Sequence, residues 1–322
     1  MPSSLKVGAL VQNFAGFPDT GRSARACIDF AVHAEHAGFD SAWVTDHIVL
    51  PRERRALYPH NETGTFPYSW QQDIHDPIVM LSALAQATRR VELGVAVLVI
   101  PYRHPLTAAK MLATADQLAE GRIILGAGVG WLQDEFTALG LSEDVFAHRG
   151  SVTEDYLQAM REAWTADGAA SYEGDYVRFR DVGTYPRPAR RPHLPVWIGG
   201  KGDRALRRAA RLGDGYLAIS ADPTMLRAEV SRLHSFATDI GRDPAELTVA
   251  LIDGIVVTPS PLGAARSPLH GTAEQIVEGM RAFEEAGLQH LVAGVRSAGD
   301  ASFAASISAL DIVAADVLPQ LI

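Results

Sequence analysis

Three short stretches hold residue types that could do chemistry. In VTDHIVLP, Asp46 and His47 stand side by side. An imidazole tuned near neutral pH can move protons, and a neighbouring carboxylate can orient and tune it. The second stretch is LGAGVGWLQDEF, residues 125 to 136, where Gly126, Gly128 and Gly130 leave bare backbone ahead of a helix start. Such a stretch lets an anionic or flat ligand come close. The third is WIGGKGDRALRRAA, residues 197 to 210, in which Gly199, Gly200 and Gly202 precede a helix and Lys201, Arg204, Arg207 and Arg208 add positive charge near its beginning. Free amides, a helix N-terminus and cations together describe a phosphate site. Two commoner motifs are excluded by spacing. Gly126, Gly128 and Gly130 run GxGxG into Trp131, which is not the dinucleotide fingerprint, and GxxxxGK[ST] is absent.

Positioning these groups falls to a regular alternation of apolar runs and helical patterns. The expected strands are residues 5 to 11, 39 to 45, 91 to 100, 122 to 127, 195 to 198, 215 to 220, 248 to 257 and 290 to 295. Helical patterns lie over 23 to 37, 77 to 87, 105 to 119, 153 to 164, 203 to 212, 223 to 240, 273 to 286 and 300 to 317. Strand followed by helix, repeated eight times without a Pro/Ser-rich linker, predicts parallel strands with helical crossovers. That is one α/β domain over 1 to 322, a (β/α)8 TIM barrel with insertions. In this fold the site forms where the C-terminal ends of the strands converge, so Asp46, His47 and both glycine stretches are expected at one mouth. The run LGVAVLVIPYRHP, residues 93 to 105, reads as a buried central strand that surfaces there, with Pro101 and Pro105 ending it and starting the next helix.

Two segments interrupt the rhythm. Residues 46 to 75 form a long connection after strand two, with Pro51, Pro59 and Pro67 and the aromatics Tyr58, Phe66, Tyr68 and Trp70. A loop of that length inside a compact domain reads as an ordered lid, with Tyr68, Trp70 and Trp131 lining a substrate pocket beneath it. Residues 171 to 183, SYEGDYVRFRDVG, alternate like a small hairpin before strand five.

Composition narrows the function classes. A net charge of -9 without a Lys/Arg block argues against nucleic acid and anionic membranes and for a small-molecule partner. Cys27 is the single cysteine, which leaves no disulfide framework or thiolate metal site and suggests a reducing cytoplasm. No apolar run is expected to approach a membrane span, and the N-terminus has no signal-like apolar core. His33, Glu35 and His36 lack the HExxH order and read as a solvated helix face, so no metal site is expected. His148, Arg149 and Glu154 read as a structural polar network at a helix start.

Residues 90 to 140, RVELGVAVLVIPYRHPLTAAKMLATADQLAEGRIILGAGVGWLQDEFTALG, resemble the signature region of the luciferase-like flavin and deazaflavin oxidoreductases. PVWIGGKGDRALRRAARLGDG at 195 to 215 and GTAEQIVEGMRAFEEAGLQHLV at 271 to 292 are similar to the same superfamily in order and spacing. The resemblance implies a TIM barrel that binds coenzyme F420 or, alternatively, FMN. VTDHIVLP resembles the F420-dependent branch, which implies that His47 is the acid or base beside the reactive ring, with Asp46 orienting it. It further implies a non-prolyl cis peptide between Ala96 and Val97 under the ring. Gly128, Gly130, Gly199, Gly200 and Lys201 would take the cofactor's phosphate end. Sugar-phosphate dehydrogenases of this group carry an acid where Trp131 stands, so that substrate is not expected. A homodimer is also implied.

Overall fold

The computed structural model describes residues 5–14, 17–58, 63–220 and 222–321. In chain order the elements are β1 (Lys6–Leu10), α1 (Ser23–His36), β2 (Ser41–Val44), α2 (Pro77–Ala87), β3 (Glu92–Val99), α3 (Pro105–Leu118), β4 (Ile123–Gly128) and the short helices α4 (Gln133–Ala138) and α5 (Glu143–Ala147). Then come α6 (Arg149–Thr165), β5 (Ala170–Glu173), β6 (Arg178–Val182), β7 (Val196–Gly199), α7 (Gly202–Leu212), β8 (Gly215–Ala218) and α8 (Pro223–Asp239). The chain ends with β9 (Thr248–Val257), β10 (His270–Gly271), α9 (Ala273–Glu285), β11 (His290–Ser297) and α10 (Phe303–Ile312), which continues as a wider turn to Val317.

Strands β9, β11, β1, β2, β3, β4, β7 and β8 pair in that order, all parallel, and β8 returns to β9 to close the ring. The eight expected strands are these eight, and the closed eight-stranded parallel barrel with its outer helices is the TIM barrel expected. Its helices start where the backbone demands it. Asp76 and Asp222 accept the first amides of α2 and α8, each with proline next, and the His104 ring does the same for α3 ahead of Pro105. The hairpin is present as antiparallel β5 and β6. Asp155 of α6 holds it, accepting Tyr172 Oη and the amides of Tyr176 and Val177.

The barrel interior is plugged at its lower end by two stacked indoles, Trp43 and Trp197, 5.3 Å apart. Glycines make room for them. A Cβ at Gly94 would stand 2.2 Å from the Trp43 ring, and one at Gly215 would stand 2.6 Å from Trp197. Gly94 therefore belongs to the buried plug. Trp43 Nε1 donates to Ser41 Oγ at 2.7 Å, and that hydroxyl meets His290 Nε2 at 2.7 Å.

Two expectations fail at the outer layer. Glu35 is 5% exposed and does not belong to a solvated face: its carboxylate accepts the amides of Arg89, Arg90 and Val91, stitching α1 to the start of β3. The helical run Phe303–Gln320 has the length and mean hydropathy, 1.3, of a membrane crossing, contrary to the reading that no run approaches it. It nonetheless packs on the barrel, burying Ser306, Ala309, Leu310, Val313 and Val317 along one stripe and exposing Asp311 and Asp316.

Candidate active site

The C-terminal ends of β1 to β4 bring together groups far apart in sequence. Asn13, buried after β1, donates through Nδ2 to the carbonyls of Thr45 and His75 and accepts the Thr45 amide, so it ties both ends of the long loop to the barrel. Asp46 and His47 follow, and they do not serve one another. The Asp46 carboxylate is buried and accepts two bonds from Arg103, at 2.7 and 3.0 Å, and one from the Val99 amide at 2.9 Å. Arg103 also bonds Asp76 at 2.8 Å. Burial raises the Asp46 carboxyl against the pull of Arg103. Burial likewise works against the Arg103 charge, but the bonds and charges of Asp46 and Asp76 outweigh it and hold the guanidinium above its ordinary range. The bidentate geometry is that of an ion pair.

His47 is oriented by Glu135, not by Asp46. Its Nδ1 lies 2.6 Å from Glu135 Oε2, and Glu135 is fully buried. The same carboxylate accepts Tyr102 Oη at 2.9 Å and the amides of Ile48 and Val49 at 2.7 and 3.2 Å. Burial and the Glu135 charge push the Tyr102 phenol well up, so it stays a donor. With every neighbour of Glu135 donating, the imidazole places its N–H on Nδ1. Nε2 has no protein partner among the described residues and is free to give or take a proton. Adjacent residues at a strand end point to opposite sides, which separates Asp46 from His47 and lets a residue 88 positions away reach the ring.

Aromatic rings cover His47. Phe14, Phe66 and Trp131 lie with centroids 5.3, 5.5 and 6.3 Å from the imidazole. Tyr68 packs on Phe14 at 4.3 Å, and Tyr58 bridges Phe66 and Trp131. Tyr68 and Trp131 are thus in the cage, while Trp70 is not: it is 45% exposed with Arg52 over its ring. Phe14 was not singled out in the sequence, where it is one more aromatic after strand one. The loop is strapped down by α4, where Asp134 accepts the amides of Arg55 and Ala56 and Glu135 those of Ile48 and Val49. Of the expected lid, 59–62, including Pro59, lie outside the described residues.

Across the mouth the Ala96–Val97 peptide is cis, and the β3 to β4 register breaks between Val95 and Leu98. The bulge turns Val97 between two glycines. A Cβ at Gly128 would lie 2.2 Å from Val97 Cγ2, and one at Gly199 would lie 2.5 Å from Val97 Cγ1. Both glycines are therefore required by Val97, a role that the phosphate reading missed. Gly130 is also committed: its φ is +80°, and its carbonyl accepts Arg149 Nε. Gly200, at φ +136°, and exposed Lys201 open at the start of α7 and are the members of the set placed to face an anion. Arg208 turns away to Glu154 of α6 and does not join them. Opposite the bulge, Gly254 and Gly294 are register partners in β9 and β11, and a Cβ on either would meet no heavy atom nearer than 3.9 Å. Small residues on both walls above an indole floor fit a flat heteroaromatic ring.

The profile of the luciferase-like monooxygenase family matches residues 5–266. An F420-dependent glucose-6-phosphate dehydrogenase of Amycolatopsis mediterranei is 31% identical over 230 residues, 71% of this chain and 62% of that protein. Among solved structures, a monooxygenase from Streptomyces bottropensis superposes with a TM-score of 0.78 at 21% identity, covering 99% of this chain and 100% of that one. An F420-dependent secondary alcohol dehydrogenase, solved with an F420–acetone adduct, gives 0.78 at 20% identity over 99% of this chain and all of its own.

Proposed function

Because the chain belongs to the luciferase-like monooxygenase family of oxidoreductases, we propose that it is an F420-dependent enzyme. It would pass a hydride between the deazaflavin and a small organic substrate held under the aromatic cage. The observation that carries this reading is the His47–Glu135 pair at the barrel mouth, with Nδ1 fixed and Nε2 free. When bound, a deazaflavin supplies a carbon centre that accepts or gives hydride and does not readily form the oxygen adduct of flavin monooxygenases.

The chain's residues would divide the work. Ala96 and Val97 offer small side chains on one wall and Gly254 and Gly294 an open face on the other. Gly200 and Lys201 would receive the anionic end. His47 Nε2 would take the proton of an alcohol as hydride leaves it, or return one to a carbonyl, while Glu135 holds the ring in place. Phe14, Phe66, Tyr68 and Trp131 exclude water from that exchange. Their apolar surface, with Trp131 against His47, favours a compact neutral substrate and not a sugar phosphate.

FMN-dependent monooxygenation is the second reading, and the description of the matching family favours it. Titrating the purified protein with F420 and with FMN separates the two. Submicromolar F420 affinity with weak FMN binding is the expected result. Tight FMN binding without F420 binding overturns it. His47→Ala should retain cofactor affinity and lose roughly a hundredfold in turnover, as expected for removal of a proton-transfer group.

A further inference from the structure

A cavity of about 580 Å³ lies outside the barrel mouth, between α6, α7 and α8. Its wall is one face of α7, where Arg204, Arg207, Arg208 and Arg211 recur at i, i+3, i+4 and i+7. Like charges at that spacing destabilise an isolated helix, by about 0.2 to 0.5 kcal/mol per pair. Glu154 answers Arg208 and Arg211. Arg204 has no acidic partner among the described residues, and Arg207 lies 3.8 Å over the Phe236 ring. Asp239 adds the second carboxylate of the lining, so four guanidinium groups face two carboxylates in a protein of net charge -9.

Arg208 is the second observation. It is 8% exposed, it lines the cavity, and its Nε is buried without a hydrogen-bond partner. Gly150 leaves the space that its head group fills, since a Cβ there would stand 2.8 Å from Nη2. Burial lowers the Arg208 guanidinium, opposed by Glu154 alone. A buried arginine with a spare donor at the edge of an open groove lacks an acceptor within the protein.

We infer that this groove is a binding site for an extended oligoanion, a chain bearing two or more phosphate or carboxylate groups. Arg204 and Arg211 are one heptad apart, about 10 Å along the helix, which is too far for a single phosphate to bridge and suits groups in series. Arg207 would bind the middle of the chain, with a planar guanidinium fork that matches either group bidentately, and Arg208 beside it would add positive charge. Phe236 and Ile240 floor the groove for the linking atoms. The groove starts beside the first turn of α7, one turn from Gly200 and Lys201, so the chain could be free or could extend from an anionic ligand seated there.

Calorimetric titration of the full-length protein with sodium tripolyphosphate, with hexaglutamate peptide and with orthophosphate tests this. The comparison protein is Arg204→Gln/Arg207→Gln, two exposed positions outside the barrel mouth. At least one oligoanion should bind about tenfold or more tighter than orthophosphate, weaken steeply with added salt, and lose about tenfold in the variant. Tripolyphosphate alone identifies a phosphate chain, and hexaglutamate alone a carboxylate chain. Circular dichroism and an unchanged or higher Tm certify that the variant is folded. If neither oligoanion outbinds orthophosphate, or the folded variant binds as the unmodified protein does, the inference is overturned.

Discussion

Glu135 fixes His47 from 88 residues away, its buried carboxylate 2.6 Å from Nδ1, while the neighbour in sequence, Asp46, is committed to Arg103. Two ion-paired or hydrogen-bonded carboxylates thus meet at the mouth with separate tasks. Glu135 serves His47, the proposed proton-transfer group, and the first residues of the long loop. Asp46 clamps the end of β2 to the end of β3.

Replacing Glu135 by Gln puts an amide NH2 among four donors. About 1 to 3 kcal/mol of stability should be lost to the unmatched buried group. Turnover should fall roughly tenfold or more as His47 loses its fixed tautomer, with cofactor affinity little changed. Steady-state kinetics and urea unfolding read the two effects, and amide exchange at residues 48 and 49 should rise. Unchanged turnover would remove Glu135 from the mechanism.

Asp46→Ala should behave differently. It leaves the Arg103 guanidinium, whose side chain is 9% exposed, with Asp76 alone. Breaking a buried pair costs about 3 kcal/mol or more, so the urea midpoint should drop further than in Glu135→Gln. Asp46→Leu combined with Arg103→Met should recover part of that loss. The folded fraction should retain more activity than Glu135→Gln does, because His47 keeps its partner.

Val97 and its two flanking glycines form a packing unit that a double-mutant cycle can isolate. Gly128→Ala inserts a Cβ 2.2 Å from Val97 Cγ2, which overpacking makes worth about 1 to 3 kcal/mol of destabilisation. Val97→Ala in the same protein should restore most of it. If the two changes are simply additive in thermal unfolding, the contact does not explain the glycine. Gly199 sits in the same contact, so a loss of cofactor affinity in a Gly199 variant reports the shape of the bulge as well as any phosphate contact.

The barrel was legible because parallel strands buried on both faces read as continuous apolar runs, and because proline and aspartate mark the helix starts. The bounds expected for Pro77–Ala87 are those found. The site was legible in part. Glycine-rich strand ends and His47 were placed at the mouth by topology alone. The partner of His47 was not, because adjacency in sequence suggested Asp46 and no local pattern points from β2 to a six-residue helix after β4. Loop aromatics carry no periodicity, so nothing separated Tyr68, inside the cage, from Trp70, outside it. Gly128 and Gly199 look like ligand glycines in sequence, and the Val97 side chain that requires them is visible only once the strands are side by side.

His290 makes the barrel plug acid-sensitive. It is 2% exposed, with Nε2 against the Ser41 hydroxyl and the ring edge-on to Trp43 and Trp197. Burial pushes the imidazole down to about 4 from 6.5, with Lys6 adding to the shift and Glu92 opposing it. The unfolded chain takes up a proton near 6.5 that the folded chain refuses until about pH 4, so the unfolded state gains as pH falls between them. The stability contribution is complete above pH 6.5 and is lost progressively below it, by about 3 kcal/mol at pH 4. His290→Gln keeps an acceptor for Ser41 and cannot charge, so it should flatten that part of the stability curve. Urea unfolding of both proteins from pH 4 to 8 decides the matter. Parallel curves would show that acid sensitivity arises elsewhere.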